Sequence, residues 1–297
     1  MLQQGSKKGV LFVFFSAALM STGGLLIKLI PWSAMAVNGG RNIFACLLTL
    51  LYMHITGHRL RISLPVLICA ACLSLNAIVY TLATRLTTAA NAIVLEYISP
   101  VFIILYLWVL FRQKPRRLDL LTCGIVLIGI ALFFVESLSG GGMVGNLLAI
   151  VAAATYAVVF MVNMADGSDG FSSFFLGQLF SAVIGLPWLL TEPRQSAGSW
   201  AAIALMGIFQ IGIAYIFMCC GLELISPVTA NIICMCEPIL NPVWVALFYG
   251  EKIGPLAILG MVIVIGGLAV YNILNARTAA CTAREHTESV AADMSPK

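Results

Sequence analysis

Charge is what this sequence has least of. Asp, Glu, Lys and Arg make up 9% of its 297 residues, against about 25% in an ordinary soluble domain. A water-facing surface cannot be built from so few charges, so a soluble globular fold is excluded. Histidine is scarcer still, with three residues: His54 and His58 flank one short connection, and His286 lies near the C-terminal end. None sits beside a carboxylate in an apolar run, which argues against an enzyme built on a His–acid pair. No Gly-x-x-x-x-Gly-Lys-Ser/Thr run occurs. The glycines from Gly140 to Gly142 lead into Met143 and read as a flexible linker. Alternating polar and apolar residues over about 10 positions, the mark of membrane-barrel strands, are also missing. The nine cysteines form no framework. Cys69 with Cys72, and Cys234 with Cys236, have no histidine or second pair in the same apolar run, so they read as small packing residues and not as metal ligands. No cofactor is expected.

What the sequence has is apolar residues, 61% of the whole, in runs of similar length. A helix crosses the hydrocarbon layer with roughly 20 apolar residues. Ten such runs are present: Gly9–Ile27, Ala34–Tyr52, Leu64–Thr84, Ala89–Phe111, Leu120–Val135, Val144–Met164, Phe171–Thr191, Trp200–Leu222, Ile225–Gly250 and Ile253–Ala276. The first lacks a convincing cleavage site and reads as a retained span, not a signal peptide. The polar stretch 277–297 has little to bury and is expected to be a disordered tail. The prediction is an all-α polytopic membrane protein with ten transmembrane helices.

The net charge of +4 sits between the spans and points to no nucleic acid. Lys7, Lys8, Arg59, Arg61, Arg112, Lys114, Arg116, Arg117, Arg277, Arg284 and Lys297 fall on one side, eleven in all; Lys28, Arg85, Arg194 and Lys252, four, fall on the other. Basic connections stay cytoplasmic. Both termini are therefore expected in the cytoplasm and the chain in the inner (plasma) membrane.

The first half aligns with the second at a shift of 136 to 138 residues. Gly9, Ala17 and Ala18 fall on Gly145, Ala153 and Ala154. Ser99 and Pro100 fall on Glu237 and Pro238, Gln113 and Lys114 on Glu251 and Lys252, and Gly129 on Gly267. Residues 1–139 and 140–276 thus read as two five-span repeats. Five is odd, so the second copy enters the membrane from the opposite side. The span 4–5 connection is strongly basic and its mate between spans 9 and 10 is not, as inversion requires. Inverted repeats supply two related shapes that can exchange, which many secondary transporters use around a midplane site. Duplication without alternating access, as in a channel or facilitator, is the other reading.

Two segments resemble EamA-type members of the drug/metabolite transporter superfamily. One is AANAIVLEYISPVF, from Ala89 to Phe102; the other is TANIICMCEPIL, from Thr229 to Leu240, followed by Tyr249, Gly250, Glu251 and Lys252. Arg41 in span 2 fits the same pattern, with uncharged Gln178 as its mate. The chain departs from it at Glu96, usually apolar; at Met20, where an aromatic is usual and Tyr156 keeps one in span 6; and at Arg112 and Gln113, which replace a Gly-Glu turn. The resemblance implies a basket of ten helices that moves amino acids or similar small metabolites, with export the favoured direction.

Three charges lie well inside spans: Arg41, Glu96 and Glu237. Each costs at least about 2.5–3.5 kcal/mol at a helix centre, and such residues are functional candidates by default. Glu237 precedes Pro238, which breaks the helical ladder; it reads as a substrate or proton ligand at a hinge, or as a structural carboxylate. Glu96 lies one turn before Pro100, and can meet a cationic or zwitterionic ligand, carry a coupling proton, or pair with Arg41. Arg41, with its fork of donors, reads as a structural or gating element alongside Pro100 and Pro238, or as a ligand for a substrate carboxylate. Asn76, Tyr80, Tyr97, Tyr156, Gln210, Tyr215, Asn241 and Trp244 complete the expected substrate pocket. Polar side chains also bridge membrane helices, so each has that plainer reading too. The partners expected are a small-molecule substrate, protons and membrane lipid, for a monomer or homodimer. An integral membrane enzyme is the least favoured class.

Overall fold

The computed structural model describes residues 7–112, 114–140, 142–163, 166–193, 195–222, 224–225, 230 and 233–293. Gln113, Arg194, Thr229 and Asn231 lie outside them. Among the described residues every regular element is helical. The elements are α1 (Lys7–Met20), α2 (Gly23–Leu29), α3 (Ala34–Thr56), α4 (Leu64–Leu86), α5 (Ala89–Glu96), α6 (Ser99–Phe111), α7 (Arg117–Gly140), α8 (Met143–Asn163), α9 (Gly170–Thr191), α10 (Ala197–Leu205), a π-helical segment (Met206–Ile213), α11 (Ala214–Leu222), α12 (Glu237–Tyr249) and α13 (Pro255–Asp293). They build ten spans, three of which are interrupted.

The starts and stops follow from local chemistry. Ser33, Ser63, Thr88, Asp169 and Ser196 each cap a helix by accepting a hydrogen bond from the N–H three residues on, which satisfies a donor the first turn leaves free. Span 1 breaks between α1 and α2, where the Ser21 and Thr22 hydroxyls bond back to the Ala18 and Leu19 carbonyls at 2.7 Å each and compete with the ladder. Spans 4 and 9 break just before Pro100 and Pro238, which have no N–H to return. The last helix runs on to Asp293, through most of the segment expected to be disordered; that stretch is rich in Ala, Arg and Glu and has no Gly or Pro before Pro296. The expected flexible linker is also short. α7 ends at Gly140 and α8 starts at Met143, and a Cβ on Gly142 (φ 95°) would lie 2.9 Å from Thr87 Oγ1.

The repeat is written in the backbone. α6 and α12 are each 13 residues long and lie 138 positions apart. Each carries proline in its first turn, and each ends on a left-handed residue: Arg112 (φ 53°) in the first copy and Gly250 (φ 72°) in the second. Helix packing obeys the same symmetry. α3 packs on α9 and α7 on α13, so spans 2 and 5 meet their own mates. α4 packs on α8 and α1 on α11; exchanging the repeats turns the first of these pairs into the second. The dominant contacts thus map onto themselves under a two-fold exchange of the copies.

Lipid does not drive apolar faces together, so close backbone approach takes over. At the crossing of α3 and α9, a Cβ on Gly39 would meet the Gly185 backbone at 2.8 Å, and a Cβ on Gly185 would meet Gly39 Cα at 2.5 Å. The outward face is apolar: Ile55, Leu190, Leu247 and Phe248 are 73%, 72%, 69% and 65% exposed, as a hydrocarbon surround allows and water does not.

Candidate functional site

Between the repeats lies a cavity of about 100 Å³. It receives Arg41 and Asn42 from α3, Asn76 and Tyr80 from α4, and Glu96 and Tyr97 from the end of α5 and the break after it. The second copy contributes Tyr156 from α8, Gln178 and Ser181 from α9, Gln210 from the π-helical segment, Tyr215 from α11 and Glu237 from the start of α12. All three intramembrane charges therefore face one space. It holds several waters or one small solute; a site needs about 10–15 Å³ of such volume per water.

Local structure explains several of these positions. Asn76 and Tyr80 are one helical turn apart and share a face. The π-helical segment widens the turn that carries Gln210, a distortion common at functional sites. A Cβ on Gly23 would lie 2.9 Å from Gln210 Nε2, so the glycine at the span 1 break makes room for that amide. Gly207 lets the same segment approach the Arg41 carbonyl.

Glu96 accepts a hydrogen bond from Asn76 Nδ2 at 2.8 Å, and the same amide donates to the Ala152 carbonyl at 3.0 Å. Arg41 does not pair with it. Its Nη2 donates to Thr81 Oγ1 at 2.8 Å, to Asn38 Oδ1 at 3.3 Å and to the Ala77 carbonyl at 3.4 Å. No ion pair within 4.0 Å joins Arg41 to either carboxylate among the described residues. Neutral groups of α3 and α4 thus hold the guanidinium, and both carboxylates reach the cavity without a cation.

Glu237 is tied to the other repeat. Tyr97 Oη lies 2.8 Å from Glu237 Oε2 and 2.9 Å from the Cys234 carbonyl. In a continuous helix the N–H of residue 238 would serve that carbonyl; Pro238 cannot. The hydroxyl from the break in span 4 thus serves the carbonyl freed at the break in span 9. A phenol has one proton and two acceptors here. When it donates to Cys234, Glu237 meets it fully only by carrying a proton of its own.

Hydrogen-bonding capacity is left over at the cavity. Among the described residues, Arg41 Nε, Gln178 Nε2 and Gln210 Oε1 are buried without a partner, although the large majority of buried side-chain polar atoms in proteins find one. Gln178 Oε1 accepts from Thr49 Oγ1 at 2.9 Å, and Ser181 Oγ donates to Ser74 Oγ at 3.0 Å. Two unmet donors and one unmet acceptor thus lie within the wall that carries the two carboxylates and the arginine.

Two residues expected in the substrate pocket, Asn241 and Trp244, lie elsewhere. Asn241 is fully buried against Gly24, with neither end of its amide paired among the described residues. Trp244 donates from Nε1 to Ser21 Oγ at 3.0 Å. These two stand one and two turns beyond Glu237, which carries them past the cavity to the break in span 1. Pro238 is buried in the first turn of α12, and Pro100 lines a separate cavity. Asn42, Gln178 and Ser181 were not among the expected ligands; their signal was adjacency to Arg41 and three-residue spacing on a single face of span 7.

Polar contacts tie both ends of the bundle. At one end Lys28 Nζ reaches Glu251 Oε1 at 3.2 Å and the Thr87 carbonyl at 2.9 Å, and Glu251 Oε2 accepts from Ala89 N at 3.2 Å. At the other, His58 Nε2 meets Asp169 Oδ2 at 2.8 Å, and Ser63 Oγ donates to the Gly167 carbonyl at 2.8 Å.

Residues 7–135 and 143–273 each match the EamA-like transporter family. The chain is 26% identical over 206 residues to an uncharacterized transporter of Clostridium kluyveri, covering 64% of this chain and 66%, just under two thirds, of the relative. It is 25% identical over 264 residues to an uncharacterized transporter of Archaeoglobus fulgidus, covering 87% of this chain and 94% of that protein. A solved crystal structure superposes with a TM-score of 0.65 at 18% identity, over 92% of this chain and 99% of its own, a likeness of fold.

Proposed function

The chain belongs to the EamA-like transporter family, and on that premise we propose that it carries an amino acid or related small amine across the inner membrane by alternating access. The observation that carries this reading is the cavity wall: one arginine and two carboxylates that no ion pair joins among the described residues, around a space of about 100 Å³. A zwitterion satisfies that set. Its carboxylate takes the guanidinium of Arg41, a group suited to planar anions. Its ammonium lies between Glu96 and Glu237. Tyr80, Tyr97, Tyr156 and Tyr215 wall the space with apolar faces and polar tips, as small-molecule sites require.

One arginine and two glutamates leave one formal negative charge. A charge in low dielectric is costly, so the empty cavity is stable when a proton neutralises it. Substrate ammonium and proton then compete for the carboxylates, which makes the cycle proton-coupled exchange. Movement occurs at the breaks before Pro100 and Pro238, where the ladder is already open. The Lys28–Glu251 pair closes one end of the path, and must separate when that end opens. The Lys/Arg bias supports cytoplasmic termini, which puts that pair on the outer face; export is the favoured direction. Thermal unfolding of the purified protein against a panel of amino acids, amines and nucleosides tests the substrate class. A bound ligand raises stability by RT ln(1 + [L]/Kd), so stabilisation by amino acids or amines, lost in Arg41→Lys or Glu96→Gln, is expected. Stabilisation by nucleosides alone contradicts it.

A further inference from the structure

A second cavity, of about 440 Å³, lies between α6, the turn that follows it and α13. It shares none of its lining with the first. One wall is apolar, formed by Ile103, Ile104 and Leu107 of α6, and the end of that wall carries Lys114 and Arg116. Trp108, half exposed, stands one turn before Arg112. An aromatic at that position marks the headgroup level of a bilayer, so the basic turn lies at the membrane–water boundary and the isoleucines lie below it.

Among the described residues, the one acid that lines this mouth is already engaged. Asp119 accepts from the Arg116 backbone N–H at 2.7 Å and from Arg116 Nη2 at 2.9 Å, while Tyr271 donates its hydroxyl to Oδ1 at 3.0 Å. Arg116 cancels that charge. Lys114 and the flanking, exposed Arg112 and Arg117 have no ion pair among the described residues and remain as positive charge at the mouth. A trench that is apolar below the boundary and cationic at it is complementary to one kind of molecule. An ion would leave the apolar wall unfilled, and a neutral lipid would leave the cations unanswered.

We infer that this groove is a binding site for one anionic phospholipid, its phosphate on Lys114 and the basic turn, its acyl chain along Ile103, Ile104 and Leu107. Such a lipid packs against Pro100, just past the break in span 4 whose near side carries Glu96 and Tyr97 into the central cavity. The site needs only membrane residence and not the substrate reading.

Native mass spectrometry of the full-length protein from nanodiscs with equal phosphatidylglycerol and phosphatidylcholine tests it. One phosphatidylglycerol is expected to stay bound in preference to phosphatidylcholine. Each basic residue near an anionic surface contributes about fivefold in affinity, so the charge reversal Lys114→Glu is expected to lower retention about 20- to 30-fold. Ile104→Trp, which fills the trench and leaves the charges in place, is expected to abolish it while the protein still elutes as a folded species. Equal retention of the two lipids, or retention unchanged in both variants, overturns the proposal. So does displacement of the lipid by inorganic phosphate with no effect of Ile104→Trp, which would assign the basic turn to soluble anions. The readout involves no transport, so its failure is separate from failure of the amino-acid reading.

Discussion

Tyr97→Phe keeps the ring and removes one oxygen, which serves both Glu237 and the Cys234 carbonyl freed by Pro238. A buried polar group left without a partner costs about 1–3 kcal/mol. For chains of 150–250 residues each kcal/mol moves the melting temperature by about 2–4 °C, so the variant is expected to melt roughly 2–12 °C lower. The source of the loss can be isolated. Pro238→Ala returns an N–H that can reach the Cys234 carbonyl and close the break in span 9. A net intramolecular hydrogen bond contributes about 0.5–1.5 kcal/mol, so Tyr97→Phe should cost about 1 kcal/mol less in the Pro238→Ala background than in the native one. Thermal unfolding of the four proteins in one detergent measures this. Additivity within about 0.3–0.5 kcal/mol, the behaviour of independent sites, refutes the claim that the hydroxyl substitutes for the missing N–H. Pro238→Ala is also expected to slow transport by stiffening the hinge, even where it raises stability.

Three further outcomes follow from the same geometry. Glu96→Gln keeps the acceptor for Asn76 and removes the charge, so it should impair transport and flatten its pH dependence; flux unchanged across pH contradicts a role for that carboxylate. Arg41→Lys loses the guanidinium edge, so it should weaken binding of amino acids by about tenfold, the scale of one charge-assisted hydrogen bond, while binding of the corresponding decarboxylated amines stays within about twofold; equal losses place Arg41 outside the ligand's carboxylate end. Gly185→Ala puts a methyl within 2.5 Å of Gly39 Cα and should destabilise the crossing of α3 and α9 by about 1–3 kcal/mol, as overpacking does; an unchanged melting temperature means that the two backbones lie further apart.

The spans were legible because hydropathy is a local property: a run of about 20 apolar residues needs no partner to be read. The repeat was legible too, since Pro100 and Pro238 keep their register across 138 positions. The breaks were less so. Span 1 is apolar on both sides of Ser21 and Thr22, and the π-helical segment around Gln210 has no composition that sets it apart. The site was visible in outline, because intramembrane charge is costly wherever it falls. Its wiring was not. A pair of Arg41 with Glu96 is one of the readings the sequence leaves open, yet neutral groups of α3 and α4 hold the guanidinium. The bond from Tyr97 to Glu237 joins residues 140 positions apart, a distance at which sequence spacing carries no signal. Asn241 and Trp244 share the face of Glu237, but one and two turns along the axis carry them past the cavity to the break in span 1.

Counterflow in proteoliposomes tests most directly whether the cavity between the repeats is a carrier site. Vesicles loaded with an excess of an unlabelled amino acid that stabilises the protein should accumulate the labelled form transiently, with a rate that saturates in outside substrate and is lost in Glu96→Gln. Uptake that rises linearly with concentration, is indifferent to substrate on the far side and persists in that variant would mean a passive pore and contradict alternating access.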